Sequence, residues 1–267
     1  MVVFKDVTKE QIATLLKKGY QMDTVKTKYE DLRLSKNDVS LVLYISGKLL
    51  VQGKGTDKVV EQLTKLGVGE EVKKQNFRKE TGWMIGSDET LKGDTFGGLV
   101  VSAVKADDNL RTKLLELGVA DSKKLADSEI IGMAKEIKKI APCEVRSLLP
   151  EEYNGRDGNV TKLLDKLHQE CANDLLPGKH VVDKYPGCSV GKIAVEKAES
   201  KYIEVAAASI LARSAGLEQL NFLSKKAGFT LPKGSTHVKE ALQMLVDKKL
   251  KMKVFVKLHF RNVREFL

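Results

Sequence analysis

Leu99, Val100, Val101, Ser102, Ala103 and Val104 form an uncharged run that is apolar at five of six positions. A strand with apolar side chains on both faces belongs inside a sheet that is covered on both sides, so this run predicts a central sheet. Just upstream, residues 84–87 read as another strand, and it leads straight into Asp88-Glu89-Thr90-Leu91-Lys92-Gly93-Asp94. The nine residues from Gly86 to Asp94 hold three carboxylates, one lysine and two glycines. Carboxylates gathered where a strand leaves a core repel one another unless cations neutralise them, so this segment is expected to serve hard divalent metals.

The remainder of the C-terminal part alternates strand and helix. Helical patterns cover residues 108–117, 128–140, 159–174, 203–225 and 238–246, and short strands are expected at 144–148, 180–183 and 193–195. That alternation predicts an α/β domain with helices flanking a mixed central sheet. The N-terminal part differs. Thr8 is placed to cap a helix over 8–18, residues 39–44 and 49–52 form a hairpin across Ser46-Gly47-Lys48, and 57–66 reads as a second helix. The expected layout is a small α+β domain over 1–67, a charged connector over 68–80 and the α/β domain over 81–267. Cys143, Cys171 and Cys188 form no CxxC pair and are expected to be reduced. No stretch approaches the length of a membrane-spanning helix and the N-terminus has no signal-peptide layout, so a cytoplasmic protein is expected; a monomer that contacts no membrane is the expected state.

A net charge of +10 points to a polyanionic partner. Residues 1–80 hold 16 Lys and Arg against 11 Asp and Glu, so +5 of the surplus lies in under a third of the chain. Among the N-terminal aromatics, Tyr20, Tyr29 and Tyr44 have basic surroundings suited to stacking on bases, with core packing the simpler role for at least one of them. Asp88 and Asp183 each follow an apolar strand, and Glu199 precedes the apolar helix at 203–225. Carboxylates at the ends of separate core elements can converge on one point. A convergent set suits phosphodiester hydrolysis with two metal ions about 3.5–4 Å apart.

Six motifs, in order, resemble ribonuclease HIII. They are Gly86-Ser87-Asp88-Glu89 through Lys92-Gly93-Asp94-Thr95-Phe96-Gly97; Asp121-Ser122-Lys123-Lys124-Leu125; Val182-Asp183; Lys197-Ala198-Glu199-Ser200-Lys201-Tyr202; residues 205–213; and Lys257-Leu258-His259-Phe260-Arg261-Asn262. Residues around Tyr44 and Val51-Gln52-Gly53-Lys54-Gly55 look like the TATA-binding-protein-like domain that precedes the catalytic domain in that family. The resemblance implies an RNase H-like fold and hydrolysis of the RNA strand of RNA/DNA hybrids to 5′-phosphate and 3′-hydroxyl ends. It also implies two Mg²⁺ or Mn²⁺ ions held by Asp88, Glu89, Asp183 and Glu199. In that arrangement Asp88 would bridge both ions, Glu89 and Glu199 would hold one, and Asp183 would hold the ion that activates water. A ribonuclease HII-like incision at single ribonucleotides is the alternative, and the N-terminal domain favours the HIII type.

Substrate contacts are expected from Thr90, Leu91, Lys92 and Gly93, from Ser122, Lys123 and Lys124 at a helix start, and from Ser200 and Lys201 beside Glu199. The family usually carries Gly-Lys-Gly across 91–93 and often a proline at 98, where this chain has Leu91-Lys92-Gly93 and Gly98. A leucine disfavours positive φ and would obstruct close approach to a ribose 2′-hydroxyl. Leu91 is therefore the one feature that favours a hybrid-binding protein with impaired catalysis. In the opposing view, its side chain points away and the backbone is unchanged. Asp94 is expected to stabilise its loop and Asp121 to cap a helix. Ser209 is expected to be buried and bonded to its own helix. His237 is placed by family position near the scissile phosphate, and His259 is expected to be structural.

Overall fold

The computed structural model describes residues 2–72, 80–119, 125–156 and 158–267. The chain divides into two compact units, one of Met1–Lys79 with Glu116–Leu125 and one of Glu80–Leu115 with Ala126–Leu267.

The first unit is an antiparallel sheet with two helices. Its elements are β1 (Val2–Lys5), α1 (Lys9–Ala13), β2 (Gln21–Asp23), β3 (Glu30–Lys36), β4 (Val39–Tyr44), β5 (Leu49–Gly53), α2 (Thr56–Lys65) and β6 (Glu70–Val72). The strands lie in the order β2-β3-β4-β5-β1-β6. Thr8 caps α1 as the sequence predicts: its Oγ1 accepts from the Gln11 amide, and the Gln11 side chain accepts from the Thr8 amide at 2.9 Å. Phe4, Ile12, Leu15, Leu34, Leu41, Leu43, Leu49 and Val51 make the core between sheet and helices. Two expectations change. Glu70–Val72 pairs with β1 and so belongs to the sheet rather than to a connector. Tyr20, Tyr29 and Tyr44 are all buried, which leaves none of their rings open for a base to stack on.

The second unit is built on a mixed sheet in the order β11-β10-β7-β8-β9. Its elements are β7 (Met84–Thr90), β8 (Leu99–Ala106), α3 (Asp108–Glu116), α4 (Asp127–Ile140), β9 (Cys143–Leu148), α5 (Pro150–Asn154), α6 (Val160–Asn173), β10 (Lys179–Asp183), β11 (Ile193–Val195), α7 (Ile203–Ala227), α8 (Lys239–Asp247) and α9 (Arg261–Arg264). β7, β10 and β11 run parallel, whereas β8 and β9 are antiparallel to their neighbours. β8 is covered on both faces, as its composition requires. Leu99, Val101 and Ala103 pack with Leu163, Leu164 and Leu167 of α6, and Val100 packs with Ala212 of α7 and the C-terminal helices. Ser102, the polar residue in that run, donates its hydroxyl to Ala208 O at 2.5 Å, so its burial leaves the group satisfied.

Candidate active site

β7 and β10 are parallel with Val182 opposite Ser87, so their C-terminal ends share one edge of the sheet. Asp88 and Glu89 lie near the end of β7, and Asp183 is the last residue of β10. Lys197 adopts the left-handed conformation at φ 55 and turns the chain back over that edge. Asp183 accepts from the backbone amides of Lys197 and Ala198, the latter at 2.9 Å, in a small anion-holding nest. That clamp fixes the 3₁₀ turn Ala198–Ser200, which places Glu199 next to a residue bonded to Asp183. Three segments therefore carry Asp88, Glu89, Asp183 and Glu199 at one edge of the sheet.

Successive residues of a strand face opposite sides, and β7 uses both sides. Gly86 and Asp88 face α7. A Cβ on Gly86 would lie 2.3 Å from Val205 N, so the strand and helix approach as closely as backbones can. This proximity brings Asp88 within hydrogen-bonding reach of Ser209 on α7. Ser209 therefore bonds across to the strand, contrary to the expectation that it bonds to its own helix. Ser87 and Glu89 face α6, where His168 lies. Glu89 Oε1 also accepts from Lys92 Nζ at 2.8 Å.

The charges strain against one another. Burial, followed by the charges of Glu89 and Asp183, pushes the Asp88 carboxyl up to about 7, against the pull of Ser209 and the Glu89 amide. Asp183 is raised by burial and by Glu199 and Glu89, with the Ala198 amide opposing. Burial also acts to raise Glu89, yet hydrogen bonds from His168 and Lys92 outweigh it and leave the group lowered. Hard oxygen donors in a half-buried, mutually repelling set match the chemistry of a divalent cation. Among the described residues no three His, Cys, Asp or Glu side chains already close on a single point.

Beyond Glu89 the loop is strapped to the C-terminal segment. The Gly234 amide donates to Asp94 Oδ1 at 2.5 Å, the Gly97 amide to Phe255 O at 3.0 Å, and Asn262 Nδ2 to Thr95 Oγ1 at 2.8 Å. Lys257 is fully buried and spends its ammonium on the carbonyls of Asp94 and Gly97, at 2.5 and 3.0 Å. Burial lowers its pKa to about 7. Asp94 thus stabilises its loop, as the sequence predicts. The Gly98 amide donates to Gln219 Oε1 at 2.6 Å, and a Cβ there would lie 2.1 Å from Leu148 O. Proline, with no N–H and a Cβ, does not fit this backbone.

Leu91 takes the conformation expected to exclude it. Its φ is 65°, yet its side chain is buried in the core with Phe96, Ala212 and Leu220. The hollow it fills is left by two glycines: a Cβ on Gly97 would lie 2.9 Å from Leu91 Cδ1, and one on Gly216 3.3 Å from Leu91 Cγ. The left-handed conformation costs about 1–2 kcal/mol, and burying the leucine offsets it at about 1.5–3 kcal/mol. Leu91→Gly is therefore expected to lower stability by about 2 kcal/mol, because the cavity outweighs the relieved strain. Chemical denaturation measures this, and an unchanged midpoint would show that the side chain contributes no packing.

Other residues singled out in the sequence are placed as follows. Gly93 is exposed, with nothing within 4 Å of a would-be Cβ. Thr90 lies on the face toward Gly216. Ser200 and Lys201 are exposed and bonded to their own turn, through Lys197 O at 2.7 Å and Glu196 O at 3.3 Å. Asp121, Ser122, Lys123 and Lys124 lie outside the described residues. His237 is exposed at φ 54. His259 stacks on Tyr153 at 5.7 Å, the structural role expected of it. His168 escapes the sequence reading, although a histidine among Leu163, Leu164, Leu167 and Cys171 on one helical stripe is the available signal that something polar awaits it.

A mixed five-stranded sheet packed between α6 and α7, with carboxylates at the ends of its parallel strands, is the architecture of the ribonuclease H-like class. Comparison with known proteins narrows this. The family model for ribonuclease HII matches residues 85–188 and 182–263. Ribonuclease HIII of Bacillus licheniformis is 35% identical over 264 residues, which are 85% of this chain and 84% of that protein. The crystal structure of Bst-RNase HIII in complex with Mn²⁺ superposes with a TM-score of 0.62 at 27% identity, over 99% of this chain and 97% of that one. RNase H3 of Aquifex aeolicus gives a TM-score of 0.59 at 27% identity, over 97% of this chain and all of that one. The chain belongs to the ribonuclease HIII family. Its α+β unit corresponds to the TATA-binding-protein-like domain of that fold, and it is an endoribonuclease of the RNase H type acting on RNA/DNA hybrids.

Proposed function

We propose that this enzyme cuts the RNA strand of a hybrid with two Mg²⁺ or Mn²⁺ ions held by Asp88, Glu89, Asp183 and Glu199, leaving 5′-phosphate and 3′-hydroxyl ends. The observation that carries the reading is that β7, β10 and the 3₁₀ turn carry these four acids at one sheet edge, where burial and the charges of Glu89 and Asp183 push the half-buried Asp88 carboxyl up to about 7. A Mn²⁺ complex of Bst-RNase HIII supports the same ion chemistry. Bound divalent ions lower the pKa of the attacking water and stabilise the leaving oxygen.

The protein's own groups prepare the site for those ions. Ser209 orients Asp88, the Lys197 and Ala198 amides orient Asp183, and the turn between them carries Glu199. Gly93 leaves open space beside the acids, where a sugar-phosphate backbone can approach the chain closely. Thr90, the backbone of Leu91, Lys92, Ser200 and Lys201 are the proposed contacts to the substrate, together with Ser122, Lys123 and Lys124, which lie outside the described residues. Leu91 does not exclude close approach, because its side chain is turned into the core.

An end-labelled RNA/DNA hybrid and a duplex with one embedded ribonucleotide, each incubated with Mg²⁺ or Mn²⁺, test the proposal. Cleavage at many positions along the hybrid RNA, with 3′-hydroxyl products extendable by a polymerase, is the expected result. Incision confined to the single ribonucleotide would reassign the enzyme to the HII type, and inactivity on both substrates would refute the reading.

A further inference from the structure

Behind Glu89 lies a set of buried polar side chains that no step of the proposed reaction touches. Ser87 and His168 are 0% exposed and His180 is 7% exposed. Ser87 Oγ is 2.7 Å from His180 Nε2 and 2.8 Å from His168 Nδ1. The other ring nitrogen of His168, Nε2, lies 3.3 Å from Glu89 Oε2, within ion-pair distance, and makes no aligned hydrogen bond among the described residues. The four residues join β7, α6 and β10, the three elements packed beneath the acidic edge.

Chemistry fixes the direction of this chain. A carboxylate can only accept, so the hydrogen facing Glu89 belongs to His168 Nε2. The neutral ring then presents a lone pair at Nδ1, and the Ser87 hydroxyl donates to it. With its hydrogen committed, Ser87 Oγ accepts from His180 Nε2–H. His180 Nδ1 is left bare; it and His168 Nε2 are the two buried ring nitrogens without an aligned hydrogen bond among the described residues, and of the two His168 Nε2 faces a carboxylate. Burial lowers the His180 pKa to about 4, which keeps that ring neutral. The reverse direction would need an extra proton on the His168–Glu89 pair and would leave a buried N–H of His180 unpaired.

We infer that His180, Ser87 and His168 form a one-way hydrogen-bond chain that fixes the orientation of Glu89, with His168 as the positioning residue. Glu89 is held from behind at Oε2, while Oε1 faces the half-exposed Lys92 ammonium, a partner that can exchange for a divalent cation. Each donor in the row polarises the next, so the chain strengthens the contact at Glu89 beyond that of an isolated imidazole. Tyr185 packs against the His168 ring at 5.4 Å and is itself anchored to Asp165 at 2.6 Å, which limits ring rotation.

The inference rests on Glu89 being one of the metal-holding acids, and two measurements separate the claims. Imidazole ¹⁵N spectra of the metal-free protein, which has four histidines, should show His168 and His180 both protonated at Nε2 and bare at Nδ1. A proton on His168 Nδ1 would overturn the chain. Calorimetric Mn²⁺ binding should weaken by roughly 10–100-fold in His168→Leu, with His168→Gln recovering most of the loss because its amide can still donate to Glu89. Unchanged affinity in His168→Leu, or equal loss in both variants, would overturn the positioning role. If His168→Leu fails to fold, the tautomers of the unaltered protein decide. Unchanged Mn²⁺ affinity in Glu89→Gln, with the tautomers as expected, would instead refute the metal role of Glu89.

Discussion

Asp88→Asn is expected to abolish hybrid cleavage and, at neutral pH, to stabilise the metal-free protein. Loss of cleavage follows from removing a charge that the reaction needs at the centre of the site, at about 10³-fold or more. Stabilisation follows from linkage. The Asp88 carboxyl titrates near 7 in the folded chain, raised by burial and by Glu89 and Asp183, whereas an unfolded aspartate titrates near 3.9. Between those values the folded state binds more protons, so stability falls as pH rises through the window, and the full penalty is present above about 7. Asparagine keeps the shape and a partner for Ser209 but removes the charge. The gain in Tm should thus be small near pH 4 and reach roughly 5 °C or more above pH 7. Adding Mn²⁺ should raise the Tm of the unaltered protein more than that of the variant, because the ion removes the same repulsion. Equal Tm values at pH 8 without metal would refute the electrostatic account of the site, and retained turnover would refute the role of Asp88.

The sequence is most legible where a strand or helix is uniform in kind. β7, β8 and β10 are apolar runs ending in turns or acids, and α6 and α8 show a clear stripe, so the sheet and its acidic edge can be read directly. β3 is hidden because Glu30, its first residue, and Arg33 are both buried and form an ion pair at 2.9 Å, so charges stand where apolar residues would mark a strand. That pairing becomes visible only when the sheet is assembled. Leu91 shows the same limit in backbone terms. Local rules exclude a leucine from positive φ, but Gly97 and Gly216 supply a hollow that rewards it, and Gly216 lies on a helix far along the chain. Ser209 reads as one more small residue in an alanine-rich helix, and only the close approach of α7 to β7 gives its hydroxyl a partner outside that helix. The four proposed acids can be named from motif order alone, whereas the residues that contact them depend on contacts between elements that no spacing encodes.

Gly86 tests that dependence. On it β7 and α7 come together, since an added Cβ would lie 2.3 Å from Val205 N and 2.4 Å from the Glu204 carbonyl carbon. Both obstacles are backbone atoms inside a long helix buried on nearly every side, so no rotamer change can relieve the clash. Gly86→Ala must push the helix off the strand or bend the strand away, at a cost of about 3 kcal/mol or more. The displacement acts on chemistry as well as stability. Ser209 moves with α7 and Asp88 with β7, so their hydrogen bond lengthens and the carboxylate loses its orientation. Cleavage should fall by roughly 10²-fold even at temperatures where the variant remains folded, since a shift of about 1 Å in a positioned group has that effect. Ser209→Ala removes the same hydrogen bond without moving the helix. It should therefore cost activity with much less loss of Tm, which distinguishes misplacement of Asp88 from general unfolding. If Gly86→Ala retained both normal Tm and normal turnover, the close contact of β7 with α7 would not be what places Asp88.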